Sequence, residues 1–218
     1  GEDGTVQGLL DLLDIPYQGS NVLGSAVAMN KLVAKQLYES VGLPVAPYLC
    51  IKQGNRVEAD KIIQRLGLPL VIKPVCGGSS IGMSIVHSEE ELPAAIEVAF
   101  SQDDEVLIES FIKGTELTGG VIGNDDLDAL PIIEIIPDEK YSFFDYQAKY
   151  TAGETREICP ARIDDALTEK AQAYAKMAHQ ALCCRGYSRT DMIVSNRNLY
   201  ILETNTIPGM TPTSLLPL

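Results

Sequence analysis

Residues 188–205 of the chain have the sequence SRTDMIVSNRNLYILETN, two mostly apolar runs with a polar turn between them. The pattern predicts strands over Ser188–Val194 and Leu199–Glu203, joined by a turn over Ser195–Asn198. A turn this short favours antiparallel pairing of the two strands. We therefore expect a β-hairpin at this point of the chain.

Four polar side chains of this predicted hairpin are expected on one surface. Side chains alternate along a strand, so Arg189 and Asp191 face the same way, as do Glu203 and Asn205. If the strands pair, that surface holds two carboxylates, one amide oxygen and one guanidinium group. Hard oxygen ligands suit Mg²⁺ or Mn²⁺, and an arginine beside them can offset charge on a transferring phosphoryl group. The alternative is a solvated hairpin face with one salt bridge.

Helical and strand patterns alternate through the rest of the chain and predict an α/β or α+β fold. The predicted helices span residues 25–41, 57–66 and 165–184. A further helix up to Phe100 follows the capping-box pattern of Ser88 and Glu91, although Pro93 favours a later start. The other predicted strands span residues 46–51, 70–73, 81–86, 106–110, 117–122 and 132–136. Residues 138–157 show no clean period and are predicted to form a long binding or lid loop.

A glycine-rich segment, KPVCGGSSIG at residues 73–82, follows the predicted strand that ends at Lys73. Small residues allow backbone N–H groups to approach a phosphate, and Lys73 places a positive charge beside them. The Gly-Lys-Ser/Thr ending of a P-loop is absent. On this pattern alone, a phosphate-binding loop and an ordinary hairpin turn are about equally supported.

Two further segments are candidates for ligand binding. NTIPGMTPTSL, residues 205–215, is dense in turn-forming residues directly after the predicted hairpin, and its N–H groups and hydroxyls can hold a small carboxylate. YQAKY, residues 146–150, lies in the long irregular segment, where an aromatic-flanked lysine can close over a nucleotide. The alternatives are a structured loop for the first segment and an ordinary surface loop for the second.

The composition argues against nucleic acid and membranes as partners. The chain has 218 residues, with 17 Lys and Arg against 30 Asp and Glu, and its formal net charge of −13 repels phosphate backbones. No apolar run approaches the length of a membrane span, and no signal-peptide pattern opens the chain.

The 5 cysteines have no metal-type spacing, which favours reduced thiols and a cytoplasmic location. His87 and His179 have no ligand-type spacing, which favours structural roles.

Three segments of the chain are specific enough to indicate a family. They are GEDGTVQG at residues 1–8, DYQAKY at residues 145–150 and NTIPGMT at residues 205–211. With the segments above, and in this order, they resemble D-alanine–D-alanine ligases of the ATP-grasp superfamily, along the chain from Gly1 to Leu218. NTIPGMT is the strongest signal, because other ATP-grasp enzymes share Glu-x-Asn but not the Pro-Gly-Met-Thr that follows.

This resemblance implies an α+β, ATP-grasp fold in which two α+β domains hold ATP between them. It implies a remnant of the N-terminal domain at 1–19, the central ATP-grasp domain at 20–112 and the C-terminal catalytic domain at 113–218. Most of the family's N-terminal domain and its C-terminal helix are expected to be missing. We therefore expect this chain to bind nucleotide but not to make dipeptide at a useful rate. The full-length protein is expected to be a homodimer.

The resemblance also implies roles for individual residues. Those implied to bind ATP are Lys31, Lys73, Ser79, Ser80, Glu109, Phe111, Ile112, Glu116 and Lys149. Those implied to hold two Mg²⁺ or Mn²⁺ ions are Asp191, Glu203 and Asn205. Those implied to act in catalysis are Ser79, Tyr150 and Arg189. Those implied to bind the D-alanine substrate are Arg189, Gly209, Ser214 and Leu215.

Some of these implied roles are more specific. Lys31 and Lys73 correspond to two phosphate-binding lysines, the segment Glu109–Ile112 to the one that holds adenine, and Glu116 to the carboxylate that binds ribose. Arg189 corresponds to the residue that stabilises the acyl phosphate and the tetrahedral intermediate that follows it.

The implied reaction uses ATP to convert D-alanine into an acyl phosphate, which the amine of a second D-alanine attacks. A lid carrying Lys149 and Tyr150 keeps water from the acyl phosphate, and this pair favours D-alanine as acceptor. The chain departs from the family at Cys76, Gly77 and Asn30, where Arg, Glu and Asp are common. Two alternatives stay open: a ligase of related D-amino or D-hydroxy acid specificity, and a non-catalytic nucleotide-binding remnant.

Overall fold

The computed structural model describes residues 1–137, 155–211 and 214–216 of the chain. Its helices are α1 (Thr5–Leu12), α2 (Val22–Met29), α3 (Lys31–Ser40), α4 (Ala59–Leu66), α5 (Leu92–Phe100) and α6 (Asp165–Ala181). Its strands are β1 (Tyr48–Lys52), β2 (Leu70–Pro74), β3 (Ser84–Val86), β4 (Glu105–Ser110), β5 (Thr115–Gly123), β6 (Leu127–Pro137), β7 (Thr155–Ile158), β8 (Gly186–Ser195) and β9 (Asn198–Asn205). Helices and antiparallel sheets together confirm the predicted α+β class.

The first sheet has four strands in the order β1-β4-β2-β3, and one of its faces packs on α4 and α5. Ile72 of β2 lies opposite Ile108 of β4, and both are fully buried in this core. Because side chains alternate along a strand, Lys73 and Glu109 lie on the other face. That face forms one wall of a cleft.

The second sheet has five strands in the order β7-β6-β5-β8-β9, and α6 packs on one face of it. The helix lies close to the sheet because small residues meet at the contact. A Cβ atom on Gly119 would lie 3.0 Å from Ile132 Cδ1 and 3.2 Å from the Cβ of Ala175, which is on α6. The opposite face of the sheet forms the second wall of the cleft.

The prediction of one helix over residues 25–41 is wrong, because two helices, α2 and α3, meet at Asn30. The backbone of Asn30 is extended, with φ −86° and ψ 100°, and its side chain accepts a hydrogen bond of 2.9 Å from the N–H of Val33. Asn30 therefore caps α3 instead of continuing α2. The N–H of Lys31 donates to the carbonyl of Val75 at 3.0 Å, which holds the start of α3 against the end of β2.

The capping box predicted at Ser88 and Glu91 is also wrong. Ser88 makes no side-chain capping bond, a single 3₁₀ turn spans Glu89–Glu91, and α5 begins at Leu92 with Pro93 in its first turn. Glu91 instead accepts a hydrogen bond of 2.8 Å from the N–H of His87. The later start agrees with the tolerance for proline in the first turn of a helix.

The strand predicted over residues 81–86 is shorter than expected and begins at Ser84. Ser79, Ser80 and Gly82 have positive φ values of 54°, 58° and 75°. Left-handed residues turn the chain sharply, so the segment before Ser84 cannot continue a strand.

The loop predicted over residues 138–157 contains a strand at its end. β7, Thr155–Ile158, pairs with β6 and forms the edge of the second sheet. Residues 138–154, which include Lys149 and Tyr150, lie outside the described residues. The other predicted helices and strands are confirmed, with ends shifted by a few residues.

Candidate functional site

A cleft lies between the two sheets, and the glycine-rich loop after β2 closes one side of it. The predicted nucleotide residues that line the cleft are Lys31, Lys73, Ser79, Ser80, Glu109, Phe111, Ile112 and Glu116. These residues come from α3, the glycine-rich loop, both sheets and the segment that connects the sheets. The fold therefore brings together every member of the predicted set that falls within the described residues, whereas Lys149 falls outside them.

The predicted hairpin of β8 and β9 is confirmed, and it forms part of the cleft wall. Arg189 lies opposite Asn205, and Asp191 lies opposite Glu203. Asp191 and Glu203 both line the cleft. The residues between these pairs, Thr190 and Thr204, are buried on the other side of the sheet. Alternation along the two strands thus separates a polar cleft face from a buried face, as the sequence predicts.

A β-bulge lies directly beside these polar residues. The register shifts after Asp191 pairs with Glu203, because the next pair joins Met192 to Ile201 and leaves Leu202 as an extra residue on β9. Leu202 and Glu203 both line the cleft, although they are neighbours in sequence. The bulge therefore places an apolar wall and a carboxylate side by side, which strict alternation would forbid.

The carboxylate of Asp191 accepts hydrogen bonds from three side chains. Arg189 donates twice, with Nε 3.0 Å from Oδ1 and Nη2 2.9 Å from Oδ2. The hydroxyl of Thr118, on β5, donates to Oδ1 at 2.6 Å, and the amide of Asn205 donates to Oδ2 at 3.2 Å. Donors on three strands thus fix the orientation of this carboxylate.

The same hairpin face has the donor set of a hard metal ion. Asp191 and Glu203 supply carboxylate oxygens and Asn205 supplies an amide oxygen, all from adjacent, paired strands. Within the described ranges, no group of three or more His, Cys, Asp and Glu side chains forms a metal cage. Mg²⁺ needs few protein carboxylates when nucleotide phosphates and water complete its shell, so this set fits a nucleotide-bound Mg²⁺ or Mn²⁺.

Lys31 reaches the glycine-rich loop from the first turn of α3. Its Nζ donates to the carbonyl of Gly77 at 2.6 Å. Burial lowers the pKa of Lys31, and the nearby carboxylate of Glu203 opposes this shift. A lysine held beside a small-residue loop and facing a carboxylate is suitably placed to meet a phosphate.

Lys73 and Glu109 form an ion pair on the cleft wall. Lys73 Nζ lies 3.0 Å from Glu109 Oε2, and both side chains are at least nine-tenths buried. The segment Ser110–Ile112 follows Glu109 along the cleft. The N–H of Phe111 donates to the carbonyl of Pro69 at 3.0 Å, which fixes the start of this segment. Its backbone and apolar side chains form a surface suited to a flat aromatic base.

The segment after β9 folds back on itself. A Cβ atom on Gly209 would lie 2.6 Å from Ser214 Oγ, so a larger residue here would require the side chain of Ser214 to move. Ser214 Oγ accepts a hydrogen bond of 3.0 Å from the N–H of Thr211. Leu215 then lies on the cleft. The predicted substrate residues Gly209, Ser214 and Leu215 are thus close together in space.

A model of one protein family matches residues 37–218, and its description is D-ala D-ala ligase C-terminus. The chain is 63% identical over 217 residues to the D-alanine–D-alanine ligase of Syntrophobacter fumaroxidans, with 100% of this chain and 70% of the relative covered. Two solved structures also align over 100% of the chain at 40% identity. The D-alanine–D-alanine ligase from Bacillus anthracis has a TM-score of 0.86, and 69% of its chain is covered. The VanG D-Ala:D-Ser ligase from Enterococcus faecalis has a TM-score of 0.88, and 63% of its chain is covered.

The chain belongs to the D-alanine–D-alanine ligase family. This confirms the family that the three motifs indicate, and with it the ATP-grasp, α+β fold. The chain spans 63–70% of the length of these relatives.

One residue of the chain lies close to the site although it is assigned no role there from the sequence. Glu2 lies in a polar pocket that adjoins the cleft, together with Arg189, Glu203 and Asn205. Burial raises the pKa of Glu2, and the neighbouring Glu203 adds to the rise. The surrounding GEDG sequence is typical of an exposed turn, so only its place in the family motif at residues 1–8 could have indicated a role for Glu2.

The positions at which this chain departs from its family have simple local roles. Asn30 caps α3 as an aspartate would. The N–H of Cys76 donates to Asp103 at 2.6 Å, so a backbone hydrogen bond helps to hold this position. Gly77 has a φ of 112°, a conformation that strongly favours glycine.

Proposed function

We propose that the chain carries the ATP-binding and catalytic part of a D-alanine–D-alanine ligase. The reaction consumes ATP and two D-alanines and yields D-alanyl-D-alanine, ADP and phosphate through a D-alanyl phosphate, for peptidoglycan precursor synthesis in the cytoplasm. One observation carries the proposal: the β8–β9 hairpin presents Arg189, Asp191, Glu203 and Asn205 on one face, across the cleft from Lys31 and the glycine-rich loop. The named relatives support it.

The proposed nucleotide site lies in the cleft between the two sheets. Lys31 and Lys73 offset phosphate charge, and Ser79 and Ser80 cover the phosphates from the loop. The segment Glu109–Ile112 holds adenine, and Glu116 binds the ribose hydroxyls. Lys149 is proposed to reach the nucleotide from the segment outside the described residues. Charge supports the phosphate assignment, because Lys31 bonds the glycine-rich loop and is close enough to Lys73 for the two charges to interact.

The proposed metal ligands are Asp191, Glu203 and Asn205, for two Mg²⁺ or Mn²⁺ ions. Such ions offset the negative charge of the nucleotide phosphates when they are bound. The oxygen-only donor set supports this assignment.

The remaining assigned residues act on the amino acids. Arg189 offsets charge on the acyl phosphate and on the tetrahedral intermediate after the amine attacks. Ser79 orients the substrate from the loop, and Tyr150 is proposed to act from the lid, which excludes water from the acyl phosphate. Gly209, Ser214 and Leu215 bind the second D-alanine through the folded segment described above.

The domain division follows from the same proposal. We assign 1–19 to a remnant of the N-terminal domain, 20–112 to the central domain and 113–218 to the catalytic domain. The change of sheet between Ser110 and Thr115 supports the second boundary. None of the helices in the described part of the chain is both long and apolar enough to cross a bilayer. A homodimer is proposed for the whole enzyme.

The decisive experiment uses the product of the complete gene. ATP-dependent phosphate release and dipeptide formation are measured with D-alanine, and then with D-serine or D-lactate as competing acceptors. We expect dipeptide formation that requires ATP, divalent metal and D-alanine. Preference for another acceptor would support a ligase of related specificity, as named for the Enterococcus faecalis protein. Nucleotide binding without turnover on any acceptor would support a non-catalytic module.

A further inference from the structure

Three charged side chains are buried together beside the proposed nucleotide site. Glu109, in the centre of the first sheet, lies between two lysines: Oε1 is 3.0 Å from Lys35 Nζ and Oε2 is 3.0 Å from Lys73 Nζ. The exposed fractions of these side chains are 4% for Glu109, 1% for Lys35 and 10% for Lys73. Burying charges is costly even when they are paired, so a third buried charge calls for a functional reason.

Lys35 differs from the other two residues in its position. Lys73 and Glu109 line the cleft, whereas Lys35, one turn after Lys31 on α3, does not. Lys35 contacts Oε1 of Glu109, the oxygen that is not paired with Lys73. Its Nζ also lies 5.6 Å from the centre of the Tyr48 ring, which is paired with Glu109 across β1 and β4. A cation over an aromatic face is held in place by the ring quadrupole. Lys35 therefore contacts Glu109 but does not face a bound nucleotide.

The charges of the three residues do not cancel. Burial alone would raise the pKa of Glu109, but Lys73 and Lys35 together hold it below its ordinary value, so the carboxylate stays ionised. Burial lowers the pKa of Lys35, and Glu109 opposes that shift. With both lysines protonated, the cluster has a net charge of +1. Without Lys35, Glu109 would neutralise Lys73, and the cleft wall would lose its net positive charge.

We propose that Lys35 is a positioning residue for nucleotide phosphates: it occupies one oxygen of Glu109, so that Lys73 keeps an uncompensated positive charge at the cleft wall. The inference rests on the proposed nucleotide site. It explains why a lysine that does not line the cleft is fully buried against a carboxylate that does. In a buried site this charge acts over several ångströms with less screening than at the surface.

The experiment compares two ligands that differ in charge and share adenine. The affinities of ADP and adenosine are measured by titration calorimetry at one fixed Mg²⁺ concentration, and the ratio of the two is the readout. Direct effects on the adenine contacts cancel in this ratio, whereas effects on phosphate binding remain. We expect Lys35→Met to lower the preference for ADP over adenosine about tenfold, the change expected from losing one nearby charge in a partly buried site.

Two further variants separate charge from fold. Lys35→Met/Glu109→Gln removes one charge of each sign, so the net charge of the cluster returns to +1. Because Glu109 is also a proposed adenine residue, we expect both ADP and adenosine to bind more weakly, with the ratio of their affinities within about threefold of wild type. Lys52→Met is the matched control: it removes the same charge from an exposed lysine that pairs with Glu105 at 2.7 Å on the same sheet. We expect no change for it. The double variant also serves if Lys35→Met alone does not fold.

The experiment distinguishes failure of the Lys35 proposal from failure of the proposed nucleotide site. If wild type binds neither ligand, the nucleotide site itself is wrong. If wild type binds both ligands, two results would overturn the role of Lys35. One is a ratio of ADP to adenosine affinity that is unchanged in Lys35→Met. The other is a ratio that stays low in the double variant. In Lys35→Met, equal losses of affinity for ADP and adenosine would also overturn it, because they would show a change of pocket shape and not of charge.

Discussion

The guanidinium group of Arg189 bonds both oxygens of the Asp191 carboxylate, two residues away on β8, at 3.0 and 2.9 Å. Arg189 is proposed to stabilise the acyl phosphate and the tetrahedral intermediate, and Asp191 is proposed to bind metal. Each side chain therefore orients the other, and the strand geometry that puts them on one face is a requirement for both roles.

Arg189→Lys should reduce turnover far more than nucleotide affinity. Lysine keeps the charge but cannot bond two oxygens in parallel, so it cannot make the two-oxygen contact with Asp191 or with an acyl phosphate. We expect kcat to fall about 10²–10³-fold, the usual effect of removing one donor to a developing oxyanion. Steady-state kinetics on the complete gene product, together with ADP titration, separate the two quantities.

Arg197→Lys is the control for this substitution. Arg197 forms an ion pair of 2.8 Å with Asp164 and is 73% exposed, so its replacement should leave kcat unchanged. A loss of nucleotide affinity in Arg189→Lys as large as its loss of kcat would contradict the assigned role.

Glu203→Gln should raise the Mg²⁺ concentration needed for activity. The substitution keeps the shape of the side chain but replaces a charged oxygen ligand by a neutral one. We expect half-saturation by Mg²⁺ to shift upward at least about tenfold, since even outer residues of metal sites have effects of that size. Glu90→Gln, at an exposed turn, changes the net charge equally and should leave the Mg²⁺ titration unchanged. Identical titrations for Glu203→Gln and wild type would remove Glu203 from the site.

The local pattern of the sequence predicts much of this site. Alternation along two strands and a short turn are enough to place Arg189 with Asp191 and Glu203 with Asn205, because strand geometry has a period of two. The bulge that adds Leu202 to the cleft wall is not predicted, since its cause is the register of pairing and not the order of apolar residues.

Contacts between distant segments mark the limit of prediction from sequence. Lys31 bonds the carbonyl of Gly77, 46 residues away, and this depends on how α3 meets the end of β2. Lys35 likewise follows a helical pattern in which nothing indicates a buried charge. The family resemblance supplied the role of Lys31, whereas the partners of Lys35 are seen only in the folded chain.

Tyr38→Phe should weaken the hairpin from its buried face. The hydroxyl of Tyr38, on α3, donates to Thr204 Oγ1 at 2.8 Å, and Thr204 is hydrogen-bonded to Thr190 at 3.0 Å. These side chains lie directly behind the proposed metal ligands. We expect the free energy of unfolding to fall by about 1 kcal/mol, the net value of one hydrogen bond, in urea denaturation.

Tyr48→Phe is the matched control for Tyr38→Phe. The hydroxyl of Tyr48 donates to Glu39 at 2.8 Å in an exposed position, so its loss should change the free energy of unfolding by less than about 0.5 kcal/mol. Equal effects of the two substitutions would mean that the buried hydroxyl chain does not stabilise the hairpin.

Glu134→Gln should destabilise the protein at neutral pH but not in acid. Arg162 donates to both oxygens of Glu134, from Nη2 at 2.7 Å and Nε at 2.9 Å, and its N–H donates at 3.2 Å. These bonds fasten the segment after β7 to β6 at the edge of the second sheet. Hydrogen bonds from Arg162 hold the pKa of Glu134 below its ordinary value of 4.5.

A carboxylate whose pKa is lower in the folded state stabilises the fold above its unfolded pKa, and that contribution is lost as the pH falls through the folded value. We therefore expect the melting temperature of Glu134→Gln to lie about 2–4 °C below that of wild type at pH 7, with the difference shrinking below pH 4.5. Glu97→Gln, on the exposed side of α5, should show no difference at either pH. The measurement is a pair of thermal melts for each variant across this pH range. A gap between Glu134→Gln and wild type that does not shrink anywhere below pH 4.5 would mean that the charge of Glu134 does not stabilise this edge of the sheet, because the gap would then be independent of the ionisation of the carboxyl group.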